Sequence, residues 1–285
     1  MKIKKCFKIP FAAAVMIFLL TSASFAVVND EGHGLHLRGA LGGGKVYWAY
    51  LNEGGNSGDL GEGSGAGALY LSAMYNYSFL GIEASYMKGN IDDLEWTDKD
   101  DTTGIEYNYK STGSGSYSTL DVKLGFKLFT EPGDMGYTYI YGGWHFWNTV
   151  RNQDTREFSI YKETINKKYK ADGDGWMAGF RDFSTIGWDK GFAIAIQSGL
   201  FVGQAPVNEF KDDGEKVTYD VKQSFAVGAE LAAGIALQNL GFSVVGGFRG
   251  QVDVSVFDGS AVAGEDESIF GFGNLMFFVE AGIMF

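Results

Sequence analysis

Residues Leu275–Phe285 read LMFFVEAGIMF, and their side chains alternate between two chemical classes. A repeat of two residues is the period of a β-strand, in which successive side chains point to opposite faces. Glu280 lies on the second face, opposite a run of apolar positions. The pattern therefore predicts a half-buried strand and not a helix. The apolar face consists of Leu275, Phe277, Val279, Ala281, Ile283 and Phe285.

The amino-terminal segment Met1–Ala26 has the features of a secretory signal peptide. Four lysines precede or flank the start of a short apolar core, Ile9–Leu20, and Ser24 and Ala26 place small residues where a signal peptidase reads them. The core is shorter than the ~20 residues of a transmembrane helix. We expect cleavage near Ala26 and a mature chain, residues 27–285, that forms one barrel domain. The only cysteine of the full sequence, Cys6, lies in the signal peptide. The mature chain therefore contains no cysteine and forms no disulfide.

Composition narrows the class of protein further. The chain contains 42 Gly, 3 Pro and 15% aromatic residues. Without the four lysines of the signal peptide, 19 basic residues face 35 acidic ones, so the net charge of the mature chain is −16. Such a surface repels nucleic acid. The sequence has no second run of ~18 apolar residues that could form a transmembrane helix. An exported chain that lacks such a run but alternates between apolar and polar residues is typical of a transmembrane β-barrel.

Ten segments alternate, and the connections between them are alternately short and long, as in outer-membrane barrels. An even number of strands lets the sheet close without a free edge in the bilayer. We therefore predict an all-β fold, a transmembrane antiparallel up-and-down barrel of ten strands. Eight or twelve strands, and a soluble β-sandwich, are the alternatives. The segments are 33–48, 65–77, 79–90, 116–129, 137–149, 174–186, 191–203, 222–237, 241–256 and 269–285.

The alternation of connections also assigns the two sides of the membrane. With both ends of the mature chain in the periplasm, the short turns are periplasmic and the long polar loops extracellular. Phe285 then resembles the carboxy-terminal insertion signal of bacterial outer-membrane barrels. Short turns lie near Tyr77–Phe79, Thr130–Gly136, Ile186–Lys190 and Gln238–Gly241, and long loops near 49–64, 91–115, 150–173, 204–221 and 257–268. The residues expected in the two interfacial aromatic girdles are Tyr47, Trp48, Tyr75, Tyr77, Tyr137, Tyr139, Trp144, Trp176 and Trp188.

The face opposite the apolar one is expected to line the lumen, and it carries charges of both signs. Buried charges in a narrow space pair with one another or change their ionisation state. A barrel of ten strands is little wider than barrels that their own side chains fill. We therefore predict a plugged lumen, with a narrow channel as the alternative. The predicted charge network is Arg38, Glu83, Asp121, Lys123, Arg181, Glu230, Arg249, Asp253 and Glu280.

An acidic stretch follows the third segment, and it resembles a catalytic motif of the omptins, the outer-membrane endoproteases. Asp93-Leu94-Glu95-Trp96 is similar to the family's Asp-x-Asp-Trp, with Glu95 in place of the second aspartate. Paired carboxylates of this kind can position a water for attack on a peptide bond. The resemblance implies a ten-stranded barrel and, with an intact catalytic set, an aspartic-type endopeptidase.

The second catalytic motif of the omptins, Asp-x-His, is not matched. Asn208 stands where the resemblance expects the aspartate, and Phe210 where it expects the histidine. Phenylalanine cannot accept a proton, and histidine is the side chain whose pKa suits that task. His145 is the one histidine of the mature chain that the strand order allows as a substitute near the outer loops.

We therefore expect an outer-membrane barrel of omptin-like build that is not proteolytic and that has a structural or surface-binding role through its extracellular loops. The alternative is an active endopeptidase that uses Asp93, Glu95 and His145. We expect no cofactor and no metal site, because the Asp-Gly repeats lack the ligand spacing of a calcium loop. The expected partners are outer-membrane lipid and lipopolysaccharide, and, during assembly in a Gram-negative cell envelope, periplasmic chaperones and the barrel-insertion machinery. We expect a monomer that binds no nucleic acid.

Overall fold

The computed structural model describes residues 34–51, 58–99, 106–128, 136–158, 161–187, 191–217, 220–258 and 267–285. The predicted signal peptide Met1–Ala26, Trp188 and parts of the predicted connections lie outside these ranges. Within them, no helix is long and apolar enough to span a membrane. The strands are β1 Gly34–Leu51, β2 Gly58–Tyr77, β3 Leu80–Ile91, β4 Leu94–Lys99, β5 Glu106–Leu128, β6 Tyr137–Phe158, β7 Tyr161–Gly187, β8 Ala193–Gly203, β9 Val207–Asp212, β10 Glu215–Val217, β11 Asp220–Leu237, β12 Phe242–Asp258 and β13 Glu267–Met284.

Ten of these strands form a closed antiparallel ring in the order β1-β2-β3-β5-β6-β7-β8-β11-β12-β13. The ring closes because β13 pairs with β1 from His36 opposite Met284 to Leu51 opposite Ile269. The backbone N–H of Phe285 also donates to the Leu35 carbonyl at 2.9 Å. The predicted ten-stranded barrel is confirmed, and the alternatives of eight strands, twelve strands and a sandwich are wrong.

The three short strands extend the wall beyond the ring on one side of the barrel. β4 continues β3 after a break at Asp92 and Asp93, and it pairs with both β2 and β5. β9 continues β8 and pairs with β7, and β10 folds back on β9. Much of what the sequence predicts as long loops is therefore paired strand. Period-two alternation fails there because neither face of the sheet meets lipid once the wall leaves the bilayer.

Turn chemistry explains where two hairpins reverse. Asp213 and Gly214 connect β9 to β10 with φ of 50° and 88°, the positive pair that a two-residue type I′ turn requires. A 3₁₀ turn, Gln238–Leu240, connects β11 to β12. It ends on Gly241, whose φ is 59° and whose missing Cβ would lie 2.2 Å from the Met284 carbonyl oxygen. Glycine is favoured at positions 214 and 241 because the backbone φ is positive there, and side chains with a Cβ adopt such a conformation only with strain.

The faces of the wall follow the predicted alternation. On β5, Leu124 and Phe126 point outward and are more than half exposed. Lys123 points inward and is only 4% exposed. On β13, Phe277 is 66% exposed and Glu280 is 2% exposed. The outward side chains form an apolar belt, and the inward ones fill the interior. We call the rim that holds Gly34, Ser78, Gly241 and Phe285 the periplasmic rim, following the predicted orientation, and the opposite one the outer rim.

The predicted aromatic girdles are correct for only part of the set. Tyr47, Tyr75, Tyr77, Trp144 and Trp176 point outward and are exposed. Trp48, Tyr137 and Tyr139 are instead buried inside the barrel, and their assignment to the girdles is wrong. The reason is parity: Trp48 is an even number of residues from inward-facing Arg38 on β1, and both tyrosines are an even number from inward-facing His145 on β6.

Candidate functional site: the lumen and its outer mouth

The centre of the lumen is a network of buried ion pairs around Glu83. The Glu83 carboxylate is completely buried and accepts hydrogen bonds from Arg38 Nη2 at 2.9 Å and from Ser72 Oγ at 3.0 Å. It also pairs with Arg181, and Lys123 Nζ lies 3.7 Å away. One carboxylate from β3 thus faces cations from three other strands, β1, β5 and β7.

A second half of the network centres on Glu230 of β11. Arg181 Nη2 donates to its carboxylate at 3.1 Å, and Arg249 and Gln197 also donate to it. Arg181 therefore bridges Glu83 and Glu230. Glu280 completes this half, because its carboxylate lies 3.7 Å from Arg38 Nη1 and 3.6 Å from Arg249 Nη2.

His145 lies between two carboxylates closer to the outer rim. Its Nδ1 is 2.6 Å from Asp121 Oδ1, and its Nε2 is 3.3 Å from Asp253 Oδ1. Gln251 Nε2 also lies 3.0 Å from His145 Nε2, and a histidine protonated on both ring nitrogens carries the charge that its two carboxylate neighbours favour. With His145 charged, the connected network holds five cations, Arg38, Lys123, His145, Arg181 and Arg249, against five anions, Glu83, Asp121, Glu230, Asp253 and Glu280.

These side chains leave little open space. A cavity of about 50 Å³ lies among Lys123, Asp121, Arg181, Glu230 and Arg249. That is room for a few water molecules and far below the ~300 Å³ of a site for an organic ligand. In the described part of the chain, no three or more His, Cys, Asp or Glu side chains are grouped so as to hold a metal ion.

Aromatic side chains occupy the lumen on both sides of the charges. Toward the periplasmic rim, His36 Nδ1 lies 3.1 Å from the Tyr137 hydroxyl, and the His36 ring packs on Phe183. Toward the outer rim lies a set that we call the outer aromatic cluster. Its centre is Phe270, with ring centroids 5.0 Å from Trp48 and 5.4 Å from Trp147. Its members are Trp48, Tyr50, Trp147, Tyr169, Phe210 and Phe270.

The outer aromatic cluster is the part of the interior that the sequence analysis missed. The Tyr50 ring packs at a tilt against that of Phe210, with centroids 4.3 Å apart, and also contacts Tyr169. Burial in this apolar group raises the pKa of Tyr50 to about 12. The available signal was the inward face of β1, because Trp48 and Tyr50 continue the even-numbered positions that begin with Arg38.

Asp93 and Glu95, the predicted catalytic carboxylates, do not point into the lumen. Leu94 between them is fully buried, so the side chain of Glu95 lies on the outer face of β4, where it is 66% exposed. Glu95 Oε1 accepts a hydrogen bond from Lys110 Nζ at 2.8 Å, which raises the pKa of Lys110 above its ordinary value. Asp93 Oδ1 accepts from the backbone N–H of Gly113 at 2.9 Å.

The other predicted catalytic positions lie apart from these carboxylates. Asn208 is exposed and donates to Asp174, whereas Phe210 is completely buried in the outer aromatic cluster. His145 bonds to Asp121, which is eight residues along β5 from the Gly113 that binds Asp93. At ~3.3 Å per residue the two levels are about 26 Å apart along the strand. The structure therefore does not bring His145 to Asp93 and Glu95.

Comparison with known proteins rests on structure alone. No protein-family model matches the sequence, and neither does any curated protein. The outer-membrane protease OmpT from Escherichia coli superposes with a TM-score of 0.56 at 10% identity, covering 90% of this chain and 98% of OmpT. The translocator domain of the autotransporter NalP from Neisseria meningitidis covers 96% of both chains at 12% identity, with a TM-score of 0.40. The chain therefore has the fold of an omptin-like outer-membrane β-barrel.

Proposed function

We propose that this protein is an integral outer-membrane barrel with a plugged lumen, and that it acts through its outer surface and not by cleaving peptides. It reaches the membrane after cleavage of the signal peptide near Ala26, with periplasmic chaperones and the insertion machinery as partners during assembly. The apolar belt, the closed ring and the fold shared with outer-membrane barrels support the membrane location.

The single observation that carries the absence of proteolysis is the placement of Phe210. It stands where the omptin resemblance expects a histidine, and its side chain is completely buried against Tyr50, Tyr169 and Phe270. A general base must lie within hydrogen-bond reach, about 2.6–3.2 Å, of the proton it removes. A buried phenyl ring provides no such group.

The filled interior supports a plugged lumen. The ion-pair network lies between the His36–Tyr137–Phe183 contacts on the periplasmic side and the outer aromatic cluster on the other. The cavity of about 50 Å³ within the network is too small for a solute such as a sugar or amino acid. This packing supports a plugged lumen over a general diffusion pore.

The decisive experiment is peptide cleavage by the refolded mature chain, Val27–Phe285, in micelles that contain lipopolysaccharide. A mixed peptide library is read by mass spectrometry, and folding is verified by the heat-dependent shift in gel mobility. We expect no cleavage. Reproducible cuts that vanish in Asp93→Ala would refute the proposal and favour the alternative endopeptidase. Cuts that vanish in His145→Ala as well would assign the histidine to it.

Conductance in a planar bilayer tests the plugged lumen separately. We expect no discrete current steps from the folded barrel at neutral pH. Regular steps of one size would contradict the plugged lumen and favour the narrow channel.

Lipopolysaccharide is the proposed surface partner, and a row of lysines supports it. Lys170, Lys211 and Lys216 lie opposite one another on β7, β9 and β10, on the outward face beyond the apolar belt. Asp172 and Glu209 form the next pair toward the membrane and contact Lys170 and Lys211 at 3.5 and 3.1 Å. The row offers cations to the phosphates of a neighbouring lipid. Replacement of all three lysines by glutamine should weaken retention of lipopolysaccharide during purification.

A further inference from the structure

The apolar belt contains a concave region on the wall formed by β12, β13, β1, β2, β3 and β5. A groove of about 360 Å³ lies there, lined almost wholly by apolar atoms. It arises because neighbouring strands present small residues at the same level: Ala281 pairs with Gly39, and Ala73 pairs with Ala84. Leu37 points outward beside them yet is only 8% exposed, so it forms part of the floor.

Larger side chains bound the groove at both ends. Phe242 and Ile283 close the end on β12 and β13, and Tyr86 and Leu120 close the end on β3 and β5. The groove thus crosses six strands, about 24 Å at ~4.8 Å per strand. Two adjacent rows of paired residues, both running across the strands, form its lining. One row is Phe242, Ile283, Leu37, Ala73 and Ala84, and the other is Ala281, Gly39, Leu71, Tyr86 and Leu120.

The groove rises obliquely from the periplasmic rim to about the middle of the membrane. Phe242 is the first residue of β12, beside the 3₁₀ turn of that rim. Leu120 is six residues along β5 from Phe126, which pairs with the first residue of β3. At ~3.3 Å per residue and a tilt of ~40°, this is a rise of about 15 Å, half of the ~30 Å hydrocarbon thickness.

We propose that this groove is a binding site for one acyl chain of a phospholipid in the periplasmic leaflet. The groove opens along its length onto the lipid-facing belt, its depth matches one leaflet, and its apolar lining suits hydrocarbon. Its volume is within the ~300–1,000 Å³ of known ligand sites. A protein partner is a poor fit, because ten outward-facing residues line the groove and a stable protein interface takes about 20–30 residues a side. The inference rests on the proposed membrane location and is independent of the absence of proteolysis.

The test is photochemical labelling of the full barrel in nanodiscs of phosphatidylethanolamine that carries a diazirine in its acyl chain. We expect labelling of Leu71 and Tyr86 to exceed that of Ile186 and Ile194, outward-facing residues of β7 and β8 on the opposite wall, several-fold. Ala73→Phe fills the groove and should abolish the excess. Its matched control is Ala233→Phe, the same change at an outward position of β11 outside the groove, which should leave the excess intact.

Three results would overturn the proposal. Equal labelling on both walls would mean that the groove holds lipid no differently from the rest of the belt. Persistence of the excess in a folded Ala73→Phe barrel would place the labelled site elsewhere. Cross-links between two barrels that carry a photoreactive leucine analogue at Leu71 would make a second copy of the chain the occupant. The gel-mobility shift verifies folding of each variant. If the barrel did cleave peptides, the interpretation of these three labelling results would not change.

Discussion

Glu83→Gln is the substitution that most directly tests the buried charge network. It keeps the size of the side chain and removes one negative charge from a group that faces Arg38 at 2.9 Å, Lys123 at 3.7 Å and Arg181. Breaking a buried ion pair by removing one partner costs about 3–5 kcal/mol, because the remaining charge keeps its desolvation penalty. We expect a loss of about that size in the free energy of unfolding, since three cations lose a common partner at once.

The double variant Glu83→Gln/Arg181→Met sharpens this test. Removing one cation together with the anion returns the network to equal numbers of charges. The double variant should therefore be more stable than the sum of the two single losses predicts, by a coupling of about 1–3 kcal/mol. The assay is equilibrium unfolding by urea in phospholipid vesicles, followed by tryptophan fluorescence. The control is Glu95→Gln, an exposed partner of Lys110, which should unfold at the wild-type urea concentration. Wild-type stability of Glu83→Gln would refute the reasoning.

Three further changes test other parts of the interior. Phe210→Ala removes a completely buried ring from the outer aromatic cluster and should cost about 3–5 kcal/mol in the same urea assay; a stable variant would show that β9 is not anchored by this ring. His145→Leu leaves Asp121 and Asp253 without the cation between them and should destabilise the barrel by a similar ~3–5 kcal/mol, whereas unchanged unfolding would argue against a charged histidine. Gly241→Val forces a branched side chain onto a φ of 59° against the Met284 carbonyl; we expect slower formation of the heat-modifiable band on gels, and wild-type kinetics would contradict a strained closure.

Much of the barrel follows from alternation that is readable in the sequence. The bilayer imposes a strict choice between lipid-facing and lumen-facing positions, so a stretch such as Leu120–Leu128 shows its period without any knowledge of its neighbours. The strand number follows from counting such stretches. The inward direction of Glu83, Arg181 and Glu230 follows from their phase against the apolar positions.

Pairing across the barrel depends on the stagger of the strands, which no local pattern contains. Arg181 meets Glu83, 98 residues away, and Glu230, 49 residues away, because the ring closes with one particular register. The same closure brings Phe210 against Tyr50 and the outward rows of Gly39 and Ala73 into one groove.

The acidic motif is an example in which the local sequence does not predict the direction of a side chain. Asp93 and Glu95 are adjacent to a strand end in sequence, but the direction of Glu95 depends on how β4 inserts between β2 and β5 beyond the membrane. Chemical type and period are properties of the residues themselves. Which charge neutralises which, and whether a carboxylate faces the lumen or the solvent, is decided by contacts between strands that are distant in the chain.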